Sequence, residues 1–281
     1  MYIPHEDMPQ LRTLGGLNIL VKYVWNWYSV IAVYLGLLSQ TRAKFRDGEV
    51  SIVSRQDFYS FAEKLYRRHC TSCGLRYEQQ DDGQIIVSLP IGLKFIIPDE
   101  ETFQIYSHVL DEIFIMKVYG ESHLDDQTVI DIGASAGDSS IYFAWLGAKV
   151  YAFEPDPNLF RLLLSNIKLN GFDNRIYAFN EKVSGGSGPG SLENIITTNS
   201  LSNIFLKIDC ESCEYDIILN TRDFVFEYIK DIVLEFHKKP HIIMKRLSNL
   251  GHEVNRKREI ICAKNKAALS YPIKRSIFRS A

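Results

Sequence analysis

The chain has 281 residues, of which 46% are hydrophobic and 23% are charged, and this is the composition of an ordinary globular protein. The formal net charge of −2 excludes an overall electrostatic attraction to nucleic acid. Five cysteines, an odd number, argue against a secreted disulfide framework, so we expect reduced thiols in a cytoplasmic protein.

Near the N-terminus, residues 17–38 form the one apolar stretch long enough to be considered as a membrane span. Asn26 and Ser29 lie near its centre, and unsatisfied polar groups are costly in lipid. Asn26 is also typical of an N-cap for a shorter helix over residues 27–38. We expect a packed helix here; a membrane-surface or spanning anchor is the less favoured alternative.

Two turn signals follow in the first hundred residues. Asp47-Gly48 and Asp82-Gly83 favour tight turns between antiparallel strands, and a helix is predicted between them, over residues 57–69. Another amphipathic helix is predicted over residues 100–119. We therefore divide the chain into an N-terminal α+β extension, residues 1–100, and a main domain, residues 101–281, which ends in a basic tail.

From residue 127 the sequence alternates short apolar runs with helical stretches. Strands are predicted at TVIDI, KVYAFE, RIYAFN, IFLKID and DIVLEF, and the chain closes with two strands around a polar turn. Apolar strands separated by helices indicate a parallel sheet that is covered on both faces. The prediction is an α/β, Rossmann-like fold, with a mostly parallel seven-stranded sheet and an antiparallel closing hairpin.

The first of these strands leads into VIDIGASAGDSS, where Gly133 and Gly137 bracket a tight turn into a helix. Glycines at such a turn let the backbone approach a ligand at the helix N-terminus. Ser135 occupies the place of the middle glycine of the dinucleotide fingerprint, which disfavours a nicotinamide dehydrogenase. Asp131 and the turn, with Ala134 in it, instead favour a nucleoside that carries a zwitterionic amino acid. A purely structural turn is the alternative.

Two polar residues end the next two strands. Glu154 lies 21 residues after Gly133, where a carboxylate in this topology reaches two ribose hydroxyls. Asn180 ends the third strand, and we expect it at the adenine. An ordinary surface glutamate is the alternative for Glu154.

Acidic residues and a histidine follow two later strands. Asp209, Glu211 and Glu214 lie close together in the sequence, and such a cluster needs a cation, a proton or a helix N-terminus to offset its repulsion. His237 follows the strand VLEF, where an imidazole is a candidate base. We expect His237 to be the catalytic base, with Asp209 as the second candidate, and Glu211 to line the acceptor side with them. The alternative is that His237 is a loop histidine without a catalytic role.

The pairs Cys70/Cys73 and Cys210/Cys213 have the spacing of zinc ligands. The first pair lies in the N-terminal extension and the second in the main domain. We therefore expect no shared zinc site, and no metal elsewhere.

Together these segments resemble the FkbM-type family of class I S-adenosylmethionine-dependent methyltransferases. Residues 129–171 look like the family's cofactor half, LKIDCESCEYDIIL like its L-K-I-D-x-E-G-x-E-Y segment, and IVLEFH like its I-x-x-E-x-H strand. Two departures stand out: Ser212 replaces a glycine, and the short loop SGGSGPGS replaces a longer insertion. If that glycine needs a positive φ, Ser212 strains the turn. The short loop predicts a more open acceptor site.

The resemblance implies S-adenosyl-L-methionine as the cofactor and O-methylation of a sugar-like, small-molecule or glycan acceptor. Asp131, Gly133, Ala134, Gly137, Glu154 and Asn180 would bind the cofactor, and His237, Asp209 and Glu211 would act on the acceptor. A nucleic-acid methyltransferase is an alternative, disfavoured because N/D-P-P-Y does not occur in the sequence. A non-catalytic binding module is another. The sequence leaves the acceptor and the oligomeric state open.

Overall fold

The computed structural model describes residues 14–99, 106, 109–115, 117–120, 122–125, 127–210, 212–236, 239–257 and 259–265. These form two compact units. The first comprises Met1–Leu93 and Ile97–Asp111, and the second comprises Lys94–Ile96 and Glu112–Ala281.

The first unit contains helices and short antiparallel strands. The helices are α1 (Leu14–Tyr23), α2 (Trp27–Tyr34) and α3 (Phe58–Ser72), and the strands are β1 (Gln40–Lys44), β2 (Val50–Ser54), β3 (Arg76–Gln79) and β4 (Ile85–Ser88). Strand β5 (Lys94–Ile97) belongs to the sheet of β3 and β4, but its first three residues are counted with the second unit. Hairpins join β1 to β2 and β3 to β4 at the predicted Asp-Gly turns. Leu20, Val24, Val30, Phe45 and Phe61 pack in its core.

The second unit alternates strands and helices as the sequence predicts. Its strands are β6 (Thr128–Ile132), β7 (Lys149–Phe153), β8 (Ile176–Phe179), β9 (Ile204–Ile208), β10 (Ile229–Glu235), β11 (Glu253–Lys257) and β12 (Ile260–Lys264). Its helices are α4 (Asp138–Trp145), α5 (Pro157–Asn170), α6 (Leu192–Thr198), α7 (Cys213–Asn220) and α8 (Pro240–Asn249). Short helical turns lie at Asp223–Tyr228 and at Asp111–Ile115, whose first residue is counted with the first unit.

The seven strands of this unit form one sheet in the order β11-β12-β10-β9-β6-β7-β8. Strands β6 to β10 pair in parallel, whereas β12 is antiparallel to both of its neighbours, β10 and β11. The fold is therefore the predicted Rossmann-like α/β fold with an antiparallel closing hairpin. The order of the strands along the sheet reverses between β6 and β9. The loops after these two parallel strands therefore meet at one edge, where open α/β sheets bind ligands.

Burial explains why the central strands are apolar throughout. Every residue of β9 is buried, and in β6 all but the first residue are. Ile130, Leu206, Ile208, Ile232 and Leu234 belong to one core with residues of the flanking helices. Each such side chain, fully buried, contributes about 1.5–3 kcal/mol of hydrophobic stabilisation.

The apolar N-terminal stretch differs from the prediction. Helix α2 ends at Tyr34 instead of residue 38, and Gly36, with a φ of 76°, follows it. Asn26 makes no capping bond; its side chain instead bonds the backbone of Arg42 and Lys44 in β1. No helix among the described residues is long and apolar enough to cross a membrane. The predicted helix over residues 100–119 falls partly outside the described residues. Its described part contains the π-helical turn Asp111–Ile115.

Candidate functional site

The turn between β6 and α4 has the backbone conformation expected of its glycines. Gly133 and Gly137 have φ values of 77° and 93°. A Cβ on Gly133 would lie 1.7 Å from the carbonyl oxygen of Asp209, and one on Gly137 would lie 2.7 Å from the Leu163 side chain. Packing against backbone therefore requires glycine at residue 133, and the positive φ favours glycine at residue 137, where the Leu163 side chain could shift. These reasons differ from the ligand approach that the sequence suggested.

Asp131 lies at the centre of a buried polar cluster under this turn. Its Oδ1 lies 3.0 Å from the Lys207 Nζ, and its Oδ2 accepts hydrogen bonds from the hydroxyls of Ser139 (2.7 Å) and Ser140 (2.6 Å). The Lys207 ammonium also donates to the carbonyl oxygen of Gly133 at 2.6 Å. Asp131 thus faces the protein interior and, through Lys207, fixes the start of the turn.

Lys207 is a central residue that the sequence analysis did not single out. It is 3% exposed and lies directly opposite Asp131 in the parallel β6–β9 register. Burial lowers the pKa of Lys207, but Asp131, Tyr119 and Asp209 outweigh that effect, so the pKa is raised above the usual lysine value. The side chain therefore stays charged. A lysine within a buried strand of a parallel sheet was the available signal, since buried charges are almost always paired.

Glu154 joins the end of β7 to the glycine turn. Its Oε2 accepts the backbone N–H of Ser135 at 2.9 Å, and its Oε1 accepts the backbone N–H of Asp156 at 2.8 Å. The residue is 5% exposed. An ionised carboxylate has about four acceptor positions, so these two bonds leave others for further donors.

Asn180 and Ala134 lie on either side of Glu154. The Asn180 amide donates to the carbonyl oxygens of Glu154 (2.8 Å) and Pro155 (3.1 Å), so its own oxygen is directed elsewhere. The backbone N–H groups of Gly133 and Ala134 both bond the carbonyl oxygen of Phe153. Strand end and turn are thereby locked together.

A second loop reaches the same edge after β9. The Asp209 backbone N–H donates to the carbonyl oxygen of Ile132 at 3.0 Å, and this bond holds the loop against the glycine turn. Glu214 at the start of α7 is completely buried. Glu211 and His237, the other two expected catalytic residues, lie outside the described residues.

A disulfide joins Cys210 and Cys213 in this loop, so the expectation of reduced cysteines is wrong for this pair. The left-handed backbone of Ser212, with a φ of 91°, turns the chain so that the two Cα atoms come within 5.5 Å. Sulfurs in a disulfide are not thiolate ligands. No group of three or more His, Cys, Asp or Glu side chains in the described part of the chain is arranged to hold a metal ion.

Asp138 and Tyr119 extend the charged cluster, and the sequence analysis missed both. Asp138 begins α4, and among the described residues nothing donates to its buried Oδ1. Burial raises the pKa of Asp138 to about 6; Lys207 opposes this effect, and Asp131 and Asp209 add to it. Burial also raises the pKa of the Tyr119 phenol above its usual range. The cluster combines a charged lysine with an acid whose pKa burial raises to about 6.

The glycine-rich loop after β8 is attached to α7. The backbone N–H of Gly185 donates to the Asp216 carboxylate at 2.8 Å, and that of Gly186 to the carbonyl oxygen of Asn220 at 3.1 Å. A Cβ on Gly185 would lie 2.2 Å from the Asp216 carbonyl oxygen. Glycine is therefore needed at this contact.

No family model and no curated protein matches the chain. Solved structures similar to it include fibrillarin from Aeropyrum pernix with natively bound S-adenosyl-L-methionine, at 12% identity and a TM-score of 0.38, covering 67% of this chain and 96% of that one. Another is Trm5 from Methanocaldococcus jannaschii with adenosine, at 14% identity and a TM-score of 0.42, covering 82% and 83%. A third is precorrin-6y C5,15-methyltransferase from Geobacter metallireducens, at 19% identity and a TM-score of 0.38, covering 57% and 88%. Such distant similarity leaves the chemistry to be argued from the site itself.

Proposed function

We propose that this protein is an S-adenosylmethionine-dependent methyltransferase of the FkbM type that methylates a hydroxyl of a sugar-like, glycan or other small-molecule acceptor. The observation that carries the proposal is the contact between Glu154 and Ser135. It places a strand-end carboxylate against the glycine turn, at the sheet edge where the order of the strands reverses.

The polar groups at this edge fit the proposed cofactor. Glu154 keeps acceptor positions for two ribose hydroxyls, and the Asn180 oxygen is directed away from the contacts that its amide makes, so that it can meet the adenine. The unsatisfied buried Oδ1 of Asp138 and the nearby Asp209 suit the ammonium group of an amino acid. Asp131 we assign to positioning, since Lys207, Ser139 and Ser140 engage its oxygens.

The bound cofactor supplies a methyl group on a sulfonium, which is already a good leaving group. The protein then contributes mainly by holding the acceptor oxygen in line with that methyl group. A hydroxyl must also lose its proton. We propose that His237 accepts it, with Asp209 or Glu211 next to it on the acceptor side, because all three follow strands that end at this edge.

Titration of the purified chain by calorimetry, with S-adenosylmethionine and separately with NAD, tests the cofactor assignment. We expect heat of binding only with S-adenosylmethionine. Binding of NAD alone would make the protein a nicotinamide enzyme. Mass spectrometry of cell extract incubated with the chain and a labelled methyl donor would then identify the acceptor. A labelled RNA, with no labelled small molecule or glycan, would overturn the acceptor class.

The variant His237→Ala tests the base. We expect turnover on the identified acceptor to fall by about 10²–10⁴-fold while cofactor affinity changes little. The rate of the parent protein should also fall below a pH near the histidine pKa. Normal turnover by the variant would transfer the role to Asp209 or Glu211.

A further inference from the structure

Helix α2 in the first unit carries apolar residues on its outer side as well as on its inner side. Its sequence, WYSVIAVY, contains no charged residue, and Val30 and Val33 are fully buried on its inner side. On the other side Trp27 and Tyr28 are exposed, and Leu35 follows them after two helical turns. A surface helix normally carries polar residues on its outer face, so an apolar outer face points to a contact with something other than water.

The apolar surface continues on both sides of the helix. Leu37 and Leu38 are 74% and 44% exposed, and Trp25, before the helix, is 61% exposed. We call the following set the α2 face: Trp25, Trp27, Tyr28, Leu35, Leu37 and Leu38.

The aromatic end of the α2 face is held in place. The Asn26 side chain donates to the Arg42 carbonyl oxygen and accepts from the Lys44 N–H, both at 2.8 Å. The Trp25 N–H donates to the Lys44 carbonyl oxygen at 2.8 Å, and the Arg46 guanidinium lies 4.1 Å from the Trp25 ring centroid. Trp25 and Trp27 therefore flank Asn26, which these bonds hold in place, and the same bonds fix the two tryptophans in their exposed positions.

Positive charge surrounds this surface. Residues 14–46 contain Lys22, Arg42, Lys44 and Arg46 and no acidic residue. Arg42 and Lys44 are exposed on the outer side of the β1–β2 hairpin, opposite the exposed Ile52 and Val50.

The two acids that follow this segment in the sequence are paired with cations. Asp47 bonds Arg68, and Glu49 bonds both Arg68 and Lys64. Lys22, Arg46 and Arg67 also line a cleft of about 800 Å³, together with these paired side chains. The surroundings of the α2 face are therefore net positive.

We propose that the α2 face docks this protein onto the surface of an anionic phospholipid membrane. Tryptophan and tyrosine prefer the membrane–water interface, the leucines enter the acyl boundary, and arginine and lysine meet the lipid phosphates. The aliphatic members decide against single-stranded nucleic acid, which binds aromatic rings and cations but gains no stacking from leucine. With only eight residues, α2 lies on the membrane and does not cross it.

Flotation of the full chain with vesicles tests the proposal, which is independent of the proposed enzymatic function. The probes are vesicles of phosphatidylcholine alone and vesicles with about a third of it replaced by phosphatidylglycerol. We expect flotation with the anionic vesicles only. The charge variant Arg42→Glu/Lys44→Glu and the apolar variant Tyr28→Ser/Leu35→Ser/Leu37→Ser should each lower the partition coefficient at least about tenfold.

Leu164→Ser/Leu219→Ser, at two exposed leucines of the second unit, is the matched control and should float like the parent chain. Circular dichroism of every variant checks that the first unit still folds. Equal flotation of the apolar variant and the parent chain would overturn the proposal, and so would no flotation of the parent. Three further results would also overturn it: preferred binding to a single-stranded oligonucleotide, a dimer in solution that the apolar variant abolishes, or binding by the control alone.

Discussion

At the scale of single residues, the site depends on side chains that face inward. Lys207 holds Asp131 and the Gly133 carbonyl oxygen at once, and no ligand is needed to explain its contacts. Glu154 differs, because its two backbone bonds leave acceptor positions unused. This contrast separates a residue that shapes the turn from one that is available to a ligand.

Glu154→Ala should weaken S-adenosylmethionine binding by about 1–3 kcal/mol, because the partners of the carboxylate would lose their acceptor. Calorimetric titration measures this directly. Asp173→Ala, at an exposed acid after α5, is the control and should bind like the parent chain. An unchanged affinity for the Glu154 variant would remove that residue from the cofactor site.

Lys207→Met should destabilise the fold by about 3–5 kcal/mol, because it leaves the buried Asp131 carboxylate without its cation. The double variant Asp131→Asn/Lys207→Met, which removes both charges, should lose less unfolding free energy than the two single variants lose together. Urea unfolding measures all three variants. Lys168→Met, on the exposed side of α5, should stay within about 0.5 kcal/mol of the parent. Strictly additive losses would show that the two side chains do not interact.

At the scale of elements, the loop from β9 into α7 is constrained in three ways. The Cys210–Cys213 disulfide closes it, the Asp209 N–H ties it to β6, and Ser212 adopts a left-handed backbone within it. From the sequence we expected Ser212 to strain the turn if this position needs a positive φ. The structure shows that positive φ.

Ser212→Gly should stabilise the protein by about 1 kcal/mol, because glycine adopts a positive φ without the steric cost that a Cβ imposes. Thermal unfolding under non-reducing conditions measures the change. Ser187→Gly, in the exposed glycine-rich loop, adds the same flexibility to the unfolded chain without relieving such a backbone and should not stabilise. Equal effects of the two changes would mean that residue 212 is not strained.

At the scale of the whole molecule, stability depends on burying this charged cluster together with the core of the sheet. Asp138 has a pKa raised by burial to about 6 from an ordinary 3.8, so the folded protein holds its proton more tightly than the unfolded chain does. Its stabilising contribution is complete below pH 3.8 and is lost as the pH rises through about 6.

Comparison of the parent chain with Asp138→Asn, without ligand, isolates this contribution. The free energy of unfolding of the parent minus that of the variant should fall by on the order of 3 kcal/mol between pH 3.8 and about 6. Asp173→Asn should show no such trend. A difference that stays flat with pH would show that folding leaves the pKa of Asp138 unchanged.

The sequence by itself determined the elements of the second unit and the places where polar residues leave them. Apolar runs such as IFLKI and a glycine-bracketed turn are local patterns, and the strands, the closing hairpin and helices α4, α5, α7 and α8 formed as predicted. Helix α6 was not predicted. In the first unit, the helix predicted over residues 57–69 and the hairpins predicted at the two Asp-Gly turns also formed. Local patterns suffice there because backbone hydrogen bonding and the alternation of faces act over a few residues.

Only the tertiary structure decided which polar residues meet. Asp131 and Lys207 lie on strands far apart in the sequence, and they pair because β9 packs beside β6 in one register. The same packing brings the Asp209 carbonyl oxygen so close to residue 133 that only glycine fits there. It also buries Asp138, and burial raises the pKa of that side chain. A strand's own residues specify its buried faces but not its neighbour, since the neighbour follows from how all the helices and strands share one core.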